Sequence, residues 1–383
     1  MKKTFLQLLA FILLFLTANA SMVAQNSQTI AVGGPVNASS PAAVSQTGLT
    51  SLSNLPEADT FIFINPQRIL NEAAPRLMPE KELAEMRAAF DQAKQFAGVD
   101  PTKLEYIVFA VRFRKPSAEL AFMPPEFMAV TSGDFNADSL LGLARAVSGG
   151  KLRDETYGAK TLSLMTIDPI AKEAEKNPLL KSFSEVAIVS LSPTSIAVGT
   201  TAYLKAAVDA VAGNGRITPE SLASLLRDPN ALISIAGSPL ASFSKSFGLL
   251  GTEANARAPR CDSKFGDFYA AVTMDATNFM LRGALNADNP DTAKIINSLI
   301  SGLLRQATSS VPDITAQAVF KSLTVTPQEN EVVLRADIPQ QMVIDFIKEK
   351  MKPKKEEAAV TGVSTPPVTK PGQKRRTRRR TRP

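Results

Sequence analysis

The chain has no histidine, no tryptophan and one cysteine in 383 residues. Without histidine there can be no Ser-His-Asp or Cys-His arrangement, no His-ligated zinc, and no side chain of the type most used as a base near neutral pH. Cys261 cannot close an internal disulfide, so this is not a disulfide scaffold. It sits in the polar stretch Ala258-Pro259-Arg260-Cys261-Asp262 and reads as a tolerated loop thiol, with intermolecular pairing as the alternative. Aromatic residues are 6% of the chain and hydrophobic residues 44%. Leu, Ile, Val, Ala and Met must therefore fill the cores, and the length suffices for two domains. Long apolar runs are missing too: beyond the N-terminus each is broken within a dozen residues or so by Lys, Asp or Pro, short of the roughly 20 residues that span a bilayer.

The N-terminus carries Met1-Lys2-Lys3, an apolar run from Phe5 to Leu16, and Ala18-Asn19-Ala20. A charged start, a short apolar core and an A-x-A site describe a secretory signal peptide, residues 1–20, with cleavage after Ala24 as the alternative. The competing reading is an uncleaved anchor, for which the run is short. No cysteine lies near the cleavage region, which excludes lipid attachment there. The expectation is an exported protein, periplasmic or extracellular, with no transmembrane helix after cleavage.

The formal net charge is +7. Lys374, Arg375, Arg376, Arg378, Arg379, Arg380 and Arg382 carry seven positive charges within the last ten residues. The remainder of the chain is neutral overall, so the basic character belongs to the tail alone.

Residues 21–54 are rich in Ser, Ala, Gln, Thr and Gly without hydrophobic periodicity and read as a disordered linker. Order is expected from Leu55-Pro56. Phe61-Ile62-Phe63-Ile64 is a strand signal ended by Asn65-Pro66, with a helix from Gln67. Leu83, Met86, Phe90, Ala93 and Phe96 form one apolar stripe of a helix opened by Pro79-Glu80 and stopped at Gly98. Strands follow at 106–113, 127–131, 161–167, 186–191 and 195–198. A helix capped by Asn136 or Asp138 runs through Leu140, Leu141 and Leu143, and another spans 202–211 before Gly213-Asn214-Gly215. Further on come a strand at 231–235, a helix through Phe243 and Phe247, strands at 268–274 and 279–285, and a helix at 292–306. A hairpin at 323–336 and a helix at 340–351 close the pattern.

This order repeats, and Gly133-Asp134-Phe135-Asn136-Ala137-Asp138 and Gly283-Ala284-Leu285-Asn286-Ala287-Asp288 share G-x-x-N-A-D. The fold class expected is α+β: two tandem similar halves, 55–215 and 216–351, of antiparallel sheets with helices packed on one face. The phrase Leu55-Pro56-Glu57-Ala58-Asp59, the two halves and the low-complexity tail together resemble a loose group of uncharacterised exported bacterial proteins. That resemblance is one of layout and implies no catalytic residue.

Sites for chemistry are few. Ser242-Phe243-Ser244-Lys245 matches S-x-x-K, but no K-T-G follows; Lys160-Thr161 continues with Leu162. Asp134, Asp138, Asp275 and Asp288 stand at caps or turns, and Glu80, Glu82 and Glu85 on a charged helix face. Asp288-Asn289-Pro290-Asp291 lacks the length of a calcium loop, and no phosphate-binding glycine motif occurs. No catalytic, cofactor-binding or metal residue is assigned.

Residues 352–383 are rich in Pro, Lys and Arg and poor in apolar side chains, which predicts a disordered tail. Its terminal cations form a polyanion-binding arm. With no aromatic interleaved, it would bind by charge and not by base sequence. For an exported protein the polyanions are lipid head groups, lipopolysaccharide or wall polymers. The leading reading is a non-enzymatic binding or scaffold protein. The alternatives are a hydrolase using carboxylates or the Ser242/Lys245 pair, and a carrier of an apolar ligand.

Overall fold

The computed structural model describes residues 45–113, 125–167, 184–238, 265–310 and 314–351. Within them, strands β1 (Thr60–Ile64) and β8 (Ile233–Gly237) pair antiparallel, with Ile62 opposite Ile235, at the middle of one large sheet. On one side of this pair lie β2 (Leu104–Arg112), β3 (Glu126–Gly133), β7 (Ser195–Gly199), β6 (Glu185–Ser192), β5 (Lys160–Thr166) and β4 (Leu152–Tyr157), in that order. On the other lie β9 (Phe265–Met274), β10 (Asn278–Ala287), β12 (Glu331–Pro339) and β11 (Thr324–Gln328). Every neighbouring pair is antiparallel. The protein is thus α+β, as its pattern implies, with its strands joined into one continuous sheet.

The helices are α1 (Gln46–Ser53), the continuous segment α2 (Pro66–Arg68, a π turn Ile69–Ala73, and Ala74–Leu77) and α3 (Glu80–Ala97). Then follow α4 (Ala137–Val147), α5 (Thr201–Val211), α6 (Pro219–Leu225), α7 (Pro290–Ser310), α8 (Ile314–Ser322) and α9 (Gln340–Met351).

The central strands are apolar on both faces, so each face seeks cover. Strand period two sends Phe61 and Phe63 to one face and Ile62 and Ile64 to the other. The first face holds the main core. Phe61, Phe63, Tyr106, Val108, Met128 and Val130 from the sheet pack under Leu52 and Leu55, Tyr203 and Leu204 of α5, and Leu225 of α6. On the opposite face, Met274 and Phe279 pack with Ile69 and Leu77 of α2 and Val343 of α9. Ala287 and Val332 pack there with Ala293 and Ile296 of α7, while Ile196 meets Phe135 and Leu140 beside α4. Helices therefore lie on both faces of the shared sheet. Strand propensity cannot reveal this division, because the face a helix takes is set by its connecting loops.

Order also starts before Leu55. The stretch 46–53, read as linker, is α1: Ser45 caps it by accepting from the Gly48 amide at 3.0 Å, and Leu52 is fully buried. A helix of Gly, Ser and Thr has poor intrinsic propensity; burial of Leu52 supplies what the local sequence lacks. Strand β4, the short α6 and α8 also went unread. The residues of β4, Leu152-Arg153-Asp154-Glu155-Thr156-Tyr157, are those of a charged sheet edge, which discourages pairing with other chains.

The shared G-x-x-N-A-D does not occupy equivalent places. Gly133 ends β3 and Asn136 caps α4, its side chain accepting from Ser139 N at 2.8 Å. Gly283 instead lies inside β10, and Asn289 performs the capping, accepting from Thr292 N at 2.9 Å. The common feature is a strand, an Asn cap and a helix, displaced by three residues from the motif.

Candidate functional site

The phrase Leu55-Pro56-Glu57-Ala58-Asp59 threads between the two flanks of the sheet and is held by backbone groups on both. Leu55 O accepts from Ile217 N at 2.7 Å, Glu57 N donates to Gly215 O at 3.1 Å, and Asp59 N donates to Val111 O at 3.0 Å. Asp59 O also accepts from Ser238 N at 2.9 Å. The backbones come so close that a Cβ on Gly237 would stand 2.2 Å from Asp59 O; one on Gly199 would meet Phe127 O at 2.3 Å.

Around this crossing lies a polar cluster within the core. Tyr203, fully buried on α5, donates to Glu57 O at 2.9 Å. The Arg112 guanidinium stacks 4.6 Å from the Tyr203 ring centre, and its Nε donates to buried Glu126 at 2.9 Å. Asp59 accepts from Phe113 N at 2.6 Å, yet burial holds its carboxyl above the usual range, with that amide and Arg112 opposing. Burial raises the Tyr203 phenol further, with Arg112 opposing. Nearby, Tyr106 donates to Ser51 Oγ at 2.7 Å; burial pushes it up to about 12, the Ser51, Ser132 and Ser195 hydroxyls holding it back. Phenols kept neutral and fully engaged join elements together.

Of the acidic residues noted in the sequence, Asp134 and Asp275 are likewise engaged locally. Asp134 pairs with Lys103 at 3.0 Å, and Asp275 accepts from the Thr277 and Asn278 amides at 2.7 Å each, which lowers its pKa. Glu80 and Glu82 lie in the first turn of α3, where they favour the helix dipole. Among the described residues no group of three or more Cys, Asp or Glu is placed to hold a metal.

Among the described residues, two open clefts indent the surface. One, about 390 Å³, is lined by Gln46, Thr50, Ser51 and Asn54 with Leu191, Ser192 and Val211. The other, about 400 Å³, lies between α4 and the β4–β5 hairpin, with Asp138, Leu141 and Arg145 facing Lys160, Thr161 and Ser190. Neither was foreseen, because the second joins charges from a helix, a hairpin and a separate strand. Ser242, Lys245 and Cys261, and the cationic residues Lys374, Arg375, Arg376, Arg378, Arg379, Arg380 and Arg382, lie outside the described residues. No described helix is long and apolar enough to cross a membrane.

No protein-family model matches the chain, and no curated protein does. Among solved structures it is similar to crystal form I of the Treponema protein TP0453, at 10% identity and a TM-score of 0.40, covering 78% of this chain and 96% of that one. Crystal form III of the same protein gives 10% identity and a TM-score of 0.40 over 81% of this chain and 99% of the other.

Proposed function

We propose that this is an exported, non-enzymatic binding or scaffold protein of the cell envelope, held at an anionic surface by its basic tail. The observation that carries the reading is the placement of charge: all seven units of net positive charge are matched by the seven cations of the last ten residues. Once Lys2, Lys3 and residues 352–383 are set aside, the folded span 45–351 is net negative and gives no general attraction to polyanions, whereas a dense terminal cluster binds them through charge and counterion release. The signal-peptide pattern supports a location outside the cytoplasm, where lipid head groups, lipopolysaccharide and wall polymers offer the matching charge. The locally engaged acids and tyrosines favour a structural over a catalytic role for the folded part. We also take its two flanks as products of duplication: reading outward from the centre, β1-β2-β3-β7-β6 is mirrored by β8-β9-β10-β12-β11.

A second reading, carriage of an apolar ligand, is favoured by one observation. Ile62, Phe109, Phe127, Val198 and Ile235 share the sheet face opposite the main core and are only half-buried among the described residues. Such a ligand would survive purification, so organic extraction and mass spectrometry of the protein separates this reading from the first.

The first reading is tested in cells. Full-length protein should sediment with the envelope at low salt and be released by high salt, while protein ending at Met351 should stay in the soluble exported fraction. Equal distribution of the two forms would reject the tail as anchor, and retention of both in the cytoplasm would reject export.

A further inference from the structure

The cleft between α4 and the β4–β5 hairpin carries charges of both signs that do not all pair with one another. Asp138, Leu141 and Arg145 fall at i, i+3 and i+7 and so share one face of α4. Opposite them stand Lys160 and Thr161 from the start of β5, and Ser190 from β6.

Arg145 is fixed in position. Its guanidinium lies 3.2 Å from Asp154 and donates to Ser163 Oγ at 3.1 Å, while the fully buried Ser163 donates to Asp154 at 2.6 Å. Lys160 and Asp138 differ from it. They line the same space with opposite charge, yet neither forms an ion pair with the other or with any other described residue. Two opposite charges kept apart across one cleft suit a ligand that carries both signs.

We propose that this cleft binds a small phosphorylated amine, its phosphate between Lys160 and Arg145 and its ammonium at Asp138. Guanidinium and ammonium groups are the side chains that recognise phosphate oxygens by charge-assisted hydrogen bonds. Thr161 and Ser190 add hydroxyls beside the ligand. Seven residues of helix set the Asp138 and Arg145 backbones about 10 Å apart. Side chains leaning inward from that span match the several-bond separation of an ethanolamine phosphate better than the adjacent charges of an α-amino acid. The same chemistry occurs free in solution and as the head group of a zwitterionic phospholipid. The zwitterionic phospholipid head group carries no net charge, so its recognition here does not rest on the cationic tail.

The test uses the full-length protein and O-phosphoethanolamine, inorganic phosphate and ethanolamine as separate probes in calorimetry. Phosphoethanolamine should bind saturably and more tightly than either fragment. Lys160→Ala should weaken it about tenfold or more, the loss of one charge-assisted contact. Asp138→Asn should weaken phosphoethanolamine while leaving inorganic phosphate unchanged, a pattern that misfolding cannot imitate. Uncharged phosphatidylcholine vesicles with and without phosphatidylethanolamine separate the two sources: dependence on phosphatidylethanolamine and on Lys160 assigns the lipid, and binding of the soluble probe alone assigns the free compound. Absence of saturable binding to every probe, or binding indifferent to Lys160→Ala, overturns the proposal.

Discussion

Tyr203→Phe removes one oxygen from the point where α5 grips the incoming chain. The ring stays, so packing in the main core and the Arg112 stack 4.6 Å from its centre are retained. What is lost is the 2.9 Å hydrogen bond to Glu57 O, in a residue with no exposed surface. The Glu57 carbonyl is only partly buried, so losing its donor costs about 0.5–1.5 kcal/mol. Tyr203→Leu removes the stack as well, which adds about 0.5–2 kcal/mol for the cation–π contact and further loss from the cavity. Urea unfolding followed by far-ultraviolet circular dichroism measures both, and the midpoint should fall in the order wild type, Tyr203→Phe, Tyr203→Leu with little change in slope. A Tyr203→Phe midpoint indistinguishable from wild type would refute the assignment of this hydroxyl as the tie between α5 and residues 55–59.

Further expectations concern glycines and pH. Gly237→Ala should destabilise by about 1–3 kcal/mol or prevent folding, because its Cβ would overlap the Asp59 carbonyl; Gly142→Ala, inside α4 with open space around it, should stabilise by about 0.5–1 kcal/mol. Burial raises the pKa of both Tyr106 and Tyr203, so the folded state holds their protons more tightly than the unfolded chain. The stability this contributes is complete below the ordinary tyrosine range near pH 10 and is lost as pH rises toward about 12 for Tyr106. Absorbance at 295 nm should therefore show the two ionising together with alkaline unfolding. Glu72 behaves oppositely. Its hydrogen bonds to Arg68 lower its pKa, so its contribution is present above the ordinary glutamate range and is lost as pH falls. Glu72→Gln should flatten the acid limb of stability against pH, as measured by thermal unfolding between pH 3 and 7.

Legibility followed whether the deciding force was local. Asn136 capping α4, Gly98 ending α3 at φ 67°, and the turn at Asp275 between β9 and β10 all depend on residues within a few positions, and all stand where the pattern predicts. Helix α1 escaped because its reason for existing, the core that buries Leu52, is completed by residues far along the chain such as Tyr106, Leu204 and Leu225. The pairing of β1 with β8, which makes the sheet continuous, was equally hidden, since a strand pattern states that a strand wants partners and not which ones. The cleft beside α4 escaped for a related reason. Asp138 had an adequate reading as a helix-start acid, and only the fold brings Lys160 opposite it.

The central claim is that charge at the C-terminus, and not the folded part, brings the protein to an anionic surface. Binding of full-length protein to vesicles containing anionic lipid, measured across salt and compared with protein ending at Met351, tests it most directly. The account predicts that the full-length form binds, progressively more weakly as salt rises, and that truncation abolishes binding. Equal binding by both forms, or none by either, would contradict it.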